Sequence, residues 1–249
     1  LEKSDLSSRE LAWHITDEHK HYISESSVYR ILKERGLITA PAYIVMSASQ
    51  EFKDKTHRAN EMWQTDFTYF KIIGWGWYYL STVLDDYSRF IIAWDVCKNM
   101  GQDDARATVD RALLITGRTK NSMPKLLSDN GPCYIANDLK KYFSDIGVKH
   151  IHGSPMHPQT QGKIERYHRS MKNVVKLDNY YTPDELRRAI ADFVHHYNHH
   201  RYHESLNNVT PADVYFGKAQ RILRQRERIK LKTIERRRKL YLENHSLVE

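Results

Sequence analysis

Cysteine is scarce in this sequence, and long hydrophobic runs are missing. Only two cysteines, Cys97 and Cys133, occur in 249 residues, so we expect a reducing compartment and no disulfide framework. No apolar stretch approaches the roughly 20 residues of a membrane span, and no signal peptide opens the chain. These absences predict a cytoplasmic protein without a membrane partner.

Acidic residues are too few to balance the basic ones. The chain has 39 Lys and Arg against 31 Asp and Glu, a formal net charge of +8. This excess favours a polyanionic partner, most commonly nucleic acid, although a membrane-surface or ribosome-associated protein has the same composition. The length of 249 residues is enough for one large or two modest domains, and the hydrophobic share of 40% is enough to build a core.

The N-terminal 40 residues predict two short helices. Residues 7–20 predict a helix capped by Ser7 or Ser8, and residues 25–36 predict a second one that Gly36 ends. A helix-turn-helix domain at 1–40 and a generic helical hairpin fit this pattern equally well. In the first case, the DNA-facing side chains of the second helix are Ser26, Ser27, Tyr29, Arg30, Lys33 and Arg35.

An irregular linker at 41–58 precedes a segment with α/β character at 59–216. Three adjacent strands with short connections predict an antiparallel meander, and the helices that follow predict a mixed sheet with helices on its faces. The predicted strands are 62–72, 74–85, 89–97, 124–129 and 148–152, and the predicted helices between them are 103–115 and 134–147.

Three acids are candidate catalytic residues. Asp66 lies within an aromatic strand, Asp129 ends a short strand, and Glu165 begins a basic helix. Each has a simpler interpretation: a solvent-facing edge position for Asp66, ordinary Asp-Asn-Gly turn sequence for Asp129, and a salt bridge to Arg169 for Glu165. Turn, strand-surface or cap roles account for the competing acids Asp85, Asp86, Asp95, Asp103 and Asp104.

The helix that carries Glu165 has two distinct faces. Ile164, Tyr167, Met171, Val174 and Val175 recur at helical spacing and predict the buried face. Glu165, Arg169, Lys172 and Lys176 fall on a second face, where the cations can hold phosphate groups.

Together, three segments resemble the transposase and retroviral integrase superfamily. They are W-Q-x-D-x-T around Asp66, S-D-N-G around Asp129, and H-P-Q-T-Q-G-x-x-E ending at Glu165, with 35 residues between the last two acids. The segment at 197–217 resembles the bacterial insertion-sequence transposases of the IS-three family. The resemblance implies a ribonuclease-H-like α/β fold with a mixed five-stranded sheet, preceded by a helix-turn-helix domain.

The resemblance also implies the site. Asp66, Asp129 and Glu165 would hold two Mg²⁺ or Mn²⁺ ions, with Asp66 bridging them, because hard cations prefer oxygen ligands. The predicted DNA contacts are Asn130, Gln161, Lys163, Arg169 and Lys172 in the core, and Ser27, Arg30 and Lys33 in the N-terminal domain.

One departure separates the chain from the retroviral relatives. They carry a zinc-binding His-His-Cys-Cys module ahead of the core, whereas no cysteine here precedes Cys97. A bacterial, nucleoid-associated transposase fits better, acting on the terminal inverted repeats of its element and on target DNA by 3′-end cleavage and strand transfer. A domesticated, non-catalytic DNA-binding regulator and a ribonuclease-H-type nuclease are the alternatives.

Two further segments invite interpretation. The histidine pairs His195/His199 and His196/His200 have helical spacing, but without a fixed ligand set we expect a helix packed on the core rather than a metal site. The basic segment at 217–249 predicts a helix that binds DNA or a partner. Because two element ends must be held together, we expect at least a homodimer on DNA.

Overall fold

The computed structural model describes residues 6–38, 56–153, 162–175 and 180–245. Gln161 and Lys176, and nearly all of the linker expected at 41–58, lie outside these ranges. The chain divides into two compact units. The larger unit contains the sheet, and the smaller one combines the N-terminal helices with the segment Tyr202–Val209 and the C-terminal helix.

Five strands form one mixed sheet in the order β3-β2-β1-β4-β5. β1, β2 and β3 are antiparallel neighbours, whereas β4 and β5 run parallel to β1. The fold class expected from the sequence is therefore confirmed. The strands are β1 Met62–Ile72, β2 Gly76–Asp85, β3 Ile91–Cys97, β4 Lys125–Ser128 and β5 Lys149–His152.

Nine α-helices lie within the described residues. They are α1 Ser8–Glu18, α2 Glu25–Glu34, α3 Gln102–Thr116, α4 Pro132–Ile135, α5 Asn137–Ile146, α6 Gly162–Val175, α7 Pro183–His199, α8 Pro211–Tyr215 and α9 Ala219–His245. The single helix predicted at 134–147 is wrong: Ala136, with φ −57° and ψ 133°, interrupts it and separates α4 from α5. None of the nine is long and apolar enough to cross a membrane.

Both faces of the sheet are covered, since side chains alternate along each strand. Phe70 and Ile72 of β1 pack against α6 and α7, whereas Trp63 of β1 packs with side chains of α3 and α5 on the opposite face. The predicted buried face of α6 is confirmed except at Val174, which is 53% exposed. Val174 lies at the margin of the apolar stripe, about 80° from the direction of Ile164.

Helix α7 packs on this core, as the sequence predicted. Its apolar side chains face the sheet, and the amide of Asn198 brackets the backbone of Ile91 in strand β3. Ile91 donates its N–H to Asn198 Oδ1 at 2.9 Å, and Asn198 Nδ2 donates to the Ile91 carbonyl at 3.0 Å. The two histidine pairs considered as metal ligands are all exposed: His195, His196, His199 and His200.

The smaller unit is held together by a buried arginine. Arg226 of α9 donates from Nε and Nη2 to the two carboxylate oxygens of Asp17 in α1, at 2.8 and 2.7 Å. Its Nη1 also donates to the carbonyl of Asn208 at 2.9 Å, and its guanidinium lies 4.6 Å from the ring centroid of Trp13. The basic C-terminal segment is thus a 27-residue helix that packs on α1.

The start of each N-terminal helix follows the sequence prediction closely. Ser7 and Glu10 form a capping box at α1, and the Ser24 hydroxyl accepts the N–H of Ser27 at the start of α2. Six residues, 19–24, separate the two helices, whereas the turn of a helix-turn-helix motif has three or four. The helix-turn-helix assignment therefore stays a prediction.

Candidate active site

Asp66 lies on β1 just beyond the point where pairing with β4 stops. β4 pairs only with Met62, Trp63 and Gln64, so the edge of β1 next to Asp66 is not covered by β4. The side chain is 20% exposed, and its Oδ1 accepts the N–H of Phe67 at 2.8 Å. Asp66 is thus a strand carboxylate that opens towards solvent at the end of a neighbouring parallel strand, where α/β sheets place their ligand sites.

Asp129 directly follows β4 and faces the same region. Its Oδ1 accepts the N–H of Gly131 at 2.9 Å. Partial burial raises the pKa of Asp129 above its usual value, and the negative charge of Asp66 raises it further, against the opposing effects of the Gly131 hydrogen bond and His152. The two carboxylates therefore interact electrostatically, and a cation between them would relieve their repulsion.

Glu165 occupies the first turn of α6 with an exposed side chain. No ion pair joins it to Arg169 or to another cation within the described residues, so the predicted alternative of a surface salt bridge is not formed here. Glu165 is not brought into contact with the two aspartates. Within the described ranges, no three His, Cys, Asp or Glu residues are grouped closely enough to hold a metal ion.

Helix α6 nevertheless contacts the candidate site through His168, which the sequence analysis missed. Its Nδ1 lies 3.4 Å from Asp66 Oδ2, and its side chain is 8% exposed. His168 follows Glu165 by three residues, so both lie on adjacent turns of one helix face. That spacing was the available signal, but only the packing of α6 on β1 identifies Asp66 as the partner.

A buried polar network fixes the start of α6. Lys163 Nζ donates to Asp86 Oδ2 at 2.6 Å and to its carbonyl at 3.0 Å. Gln64 of β1 joins Asp86 to the start of α6. Its Nε2 donates to Asp86 Oδ1 at 2.8 Å, and its Oε1 accepts the N–H of Ile164 at 3.1 Å. The residue after Ile164 is Glu165, so this network sets the position of the backbone that carries the third acid.

This network bears on two expectations. Asp86 is more than a turn acid, because its side chain is only 3% exposed and paired with Lys163. The side chain of Lys163 is 19% exposed in this pair, and its predicted contact with DNA stays a prediction. Burial lowers the pKa of Lys163, and the charge of Asp86 opposes this effect.

The remaining predicted DNA contacts have varied surroundings. The Asn130 amide donates to the carbonyl of Gly153 at 2.8 Å, which ties the turn after β4 to the end of β5. Arg169 is exposed, and Lys172 lies over an aromatic ring of β1. In the smaller unit, Arg30 and Lys33 of α2 are exposed, whereas the Ser27 hydroxyl lies 2.8 Å from Ser24 Oγ within the helix cap.

Comparison with known proteins agrees with this geometry. Two family models, both described as integrase core domain, match residues 56–158 and 146–211. This segment is an integrase core domain. It is the domain type of the DDE transposase and retroviral integrase superfamily, and it includes Asp66, Asp129 and Glu165.

Curated relatives of the integrase core domain include retroviral polyproteins. The Gag-Pro-Pol polyprotein of Simian retrovirus SRV-2 is 30% identical over 117 residues, which is 47% of this chain and 6% of the polyprotein. That of Mouse mammary tumor virus (strain BR6) is 26% identical over 149 residues, 55% of this chain and 8% of the polyprotein. The chain thus spans a small fraction of the length of these relatives.

Solved structures share the fold of the integrase core domain. The HTLV-2 integrase catalytic core domain in complex with magnesium, in its dimeric form, has a TM-score of 0.50 at 20% identity, covering 64% of this chain and 97% of that one. The simian T-cell lymphotropic virus intasome in complex with PP2A regulatory subunit B56 gamma has a TM-score of 0.57 at 19% identity, covering 78% and 67%.

Proposed function

We propose that this protein is a DNA transposase that cleaves the 3′ ends of its element and joins them to target DNA. The observation that carries the proposal is the placement of two carboxylates in an integrase-type sheet: Asp66 at the edge of β1 that β4 leaves uncovered, and Asp129 directly after β4. A bacterial insertion sequence of the IS-three type as the source is part of the proposal, since the retroviral relatives support only the superfamily.

The residues present fit a hard divalent cation such as Mg²⁺ or Mn²⁺. Asp66 and Asp129 supply carboxylate oxygens, and burial, with the charge of Asp66 adding to it, raises the pKa of Asp129. Glu165 would be the third ligand, and two ions per site is the stoichiometry we propose. When bound, such ions neutralise charge at the scissile phosphate and activate the attacking water or 3′-hydroxyl.

The protein groups around the acids position them. His168 contacts Asp66 and limits its movement on β1, while the Lys163–Asp86 pair fixes the start of α6. Arg169, exposed one turn after Glu165, is available for a phosphate of the bound strand. In this proposal, protein side chains position the acids and the DNA, and the reaction needs no covalent protein–DNA intermediate.

We also propose that the protein acts as at least a dimer on DNA. Helix α9 carries several exposed apolar side chains: Leu231, Ile234, Tyr241 and Leu242, which lie towards one side, are 58%, 47%, 61% and 58% exposed, and Leu240, on the opposite side, is 48% exposed. Leu231, Ile234 and Tyr241 follow the spacing of a coiled-coil seam. Leu231→Ser with Ile234→Ser should reduce the mass of the protein–DNA complex in light scattering, whereas Leu114→Ser, an exposed leucine of α3, should not.

Charge-removing substitutions test the catalytic proposal. Asp66→Asn, Asp129→Asn and Glu165→Gln should each reduce cleavage and strand transfer of a terminal-repeat substrate by at least about 100-fold, because several kcal/mol of transition-state stabilisation depend on bound cations. Repeat binding should persist, since it depends on separate cationic side chains. Asp145→Asn, which changes an exposed acid of α5, is the matched control.

Melting temperature supplies a readout without catalysis. Mg²⁺ should raise the melting temperature of the parent more than that of the three variants, because a ligand that binds only the folded site stabilises it. Parental cleavage by Glu165→Gln would remove that residue from the site. Repeat binding without any metal-dependent cleavage by the parent would favour the non-catalytic regulator, and cleavage restricted to RNA–DNA hybrids would favour the nuclease.

A further inference from the structure

The turn end of the β1–β2 hairpin displays large aromatic side chains. Tyr69, Trp75 and Trp77 are 51%, 52% and 51% exposed. Lys71 is directly opposite Trp77 across the two strands, so Tyr69, Lys71 and Trp77 share one face of the sheet. The rings of Tyr69 and Trp77 meet edge to face with centroids 5.4 Å apart. Aromatic groups of this size are normally buried or reserved for binding.

Cations surround these rings. Lys172 of α6 places its Nζ 4.5 Å from the ring centroid of Tyr69, and Lys71 Nζ lies 5.9 Å from that of Trp77. Lys98 Nζ donates to the carbonyl of Trp75 at 3.1 Å. The sequence has no acidic residue at 67–84. A ligand for this surface therefore combines negative charge with flat, apolar faces.

The same surface lies near the candidate acids mainly along α6. On β1, Tyr69 follows Asp66 by three residues, about 10 Å of strand, so the two side chains point to opposite faces of the sheet. Lys172 follows Glu165 by seven residues of α6, also about 10 Å of helix. At a rise of about 3.4 Å per nucleotide, a strand held at the acids reaches the aromatic rings within about three nucleotides.

We propose that Tyr69 and Trp77 form a stacking platform for unpaired DNA bases beside the cleavage site. An aromatic face stacks on any base, and Lys172 and Lys71, which lie over the two rings, would exchange those contacts for the phosphates of the bound strand. Bases within an intact duplex are already stacked on each other and offer no free face. The platform thus selects a DNA end that has opened by a few base pairs. A second copy of the chain is a weaker candidate, because it would bring like-charged lysines together.

This inference rests on the proposed function, and a binding assay without catalysis separates the two. Affinities are measured in EDTA for a fluorescein-labelled single-stranded DNA 12-mer and for the duplex of the same sequence. The double variant Tyr69→Ala with Trp77→Ala should weaken single-strand binding at least about ten-fold and duplex binding by less than about two-fold. Tyr69→Phe with Trp77→Phe keeps both ring faces and should retain the parental ratio of affinities.

The matched control is Tyr181→Ala, which removes a tyrosine that is 62% exposed and is not part of β1 or β2. Parental melting temperatures for all variants establish that the fold is intact. Unchanged single-strand affinity in the alanine variant, or equal loss for both oligonucleotides, overturns the platform. A lower oligomeric mass of that variant without DNA would show that the rings cover a protein contact, which also overturns it. Failure of the cleavage proposal appears separately, as a parent that binds both oligonucleotides but does not cut.

Discussion

Two ion pairs, each with one buried partner, hold helices in place in the two units of this protein, and the pairs differ in what surrounds them. Lys163 pairs with Asp86 beside a large apolar core that already packs α6 against the sheet. Arg226 pairs with Asp17 in a unit whose described residues include only four buried apolar side chains, Ala12, Val28, Val209 and Ile229. A polar contact can adjust a helix that apolar packing holds, but in the smaller unit it also supplies much of the specificity of packing.

Removing the cation from the core pair should have the largest effect on stability. Lys163→Met leaves the Asp86 carboxylate, with its side chain 3% exposed, without its ion-pair partner, although Gln64 and Thr56 still donate to it. We expect a loss of about 3–5 kcal/mol in the free energy of unfolding, measured with urea. The double variant Lys163→Met with Asp86→Asn removes both charges and should recover part of this loss. A loss below about 1 kcal/mol for the single variant would show that the pair is dispensable.

Removing Arg226 should damage only the smaller unit. Arg226→Ala deletes both hydrogen bonds to Asp17 and the contact with Trp13, and we expect a loss of about 3 kcal/mol confined to this unit. Hydrogen exchange should accelerate in α1 and α9 but not in the sheet. Arg228→Ala, at an exposed position of α9, is the control. Equal exchange in both variants would contradict the central role of Arg226.

Removing surface charges of the smaller unit should have a smaller effect, and that effect should be on DNA affinity. Arg30→Ala with Lys33→Ala removes two exposed cations of α2 and should weaken terminal-repeat binding about ten-fold. If both contact phosphates, the slope of log affinity against log salt should fall by about 1.8. Lys141→Ala, on the exposed side of α5, should alter neither quantity. An unchanged slope would remove these residues from the DNA interface.

The smallest expected effect is a pH dependence of the core. Burial lowers the pKa of His150 to about 4, and its Nε2 lies 2.8 Å from Ser128 Oγ. The unfolded chain binds a proton near pH 6.5, so it holds more protons than the folded state between these values. Stability should therefore be fully present above pH 6.5 and fall as the pH drops towards 4. Because the ring is only half-buried, the change should stay near 1 kcal/mol.

Substitution isolates this contribution. His150→Gln keeps a hydrogen-bonding side chain without a titrating group, so its stability should vary less between pH 6.5 and 4 than that of the parent. Thermal unfolding at several pH values measures the difference. Parallel stability profiles for the variant and the parent would assign the pH dependence to other groups.

Local patterns in the sequence predicted most elements of the fold. The alternation of side chains located the strands, and Ser7 with Glu10 located the start of α1. Gly147, with φ 83°, ends α5 where the sequence predicted a stop. The break at Ala136 was missed, because an alanine is a good helix former and its extended backbone depends on packing around α4.

The residues of the candidate site were likewise predicted only in part from the sequence. Asp66, Asp129 and Glu165 were selected from the sequence by the motifs that resemble the superfamily, because each acid taken alone also fits a simpler role. The contact between His168 and Asp66 was not, since it depends on how α6 packs across β1. The proposed aromatic platform was not predicted either. Tyr69 and Trp77 fit an ordinary strand pattern, and only the structure shows that they are exposed.

By itself, the sequence determined the secondary structure, the mixed α/β fold and the three candidate acids, because periodicity, capping and residue chemistry are local properties. Only the tertiary structure decided which charges are buried together. Asp86 and Lys163 are 77 residues apart, and Asp17 and Arg226 are 209 apart. No local pattern encodes such pairs, because burial of a charge becomes favourable only when folding brings its partner within hydrogen-bonding distance.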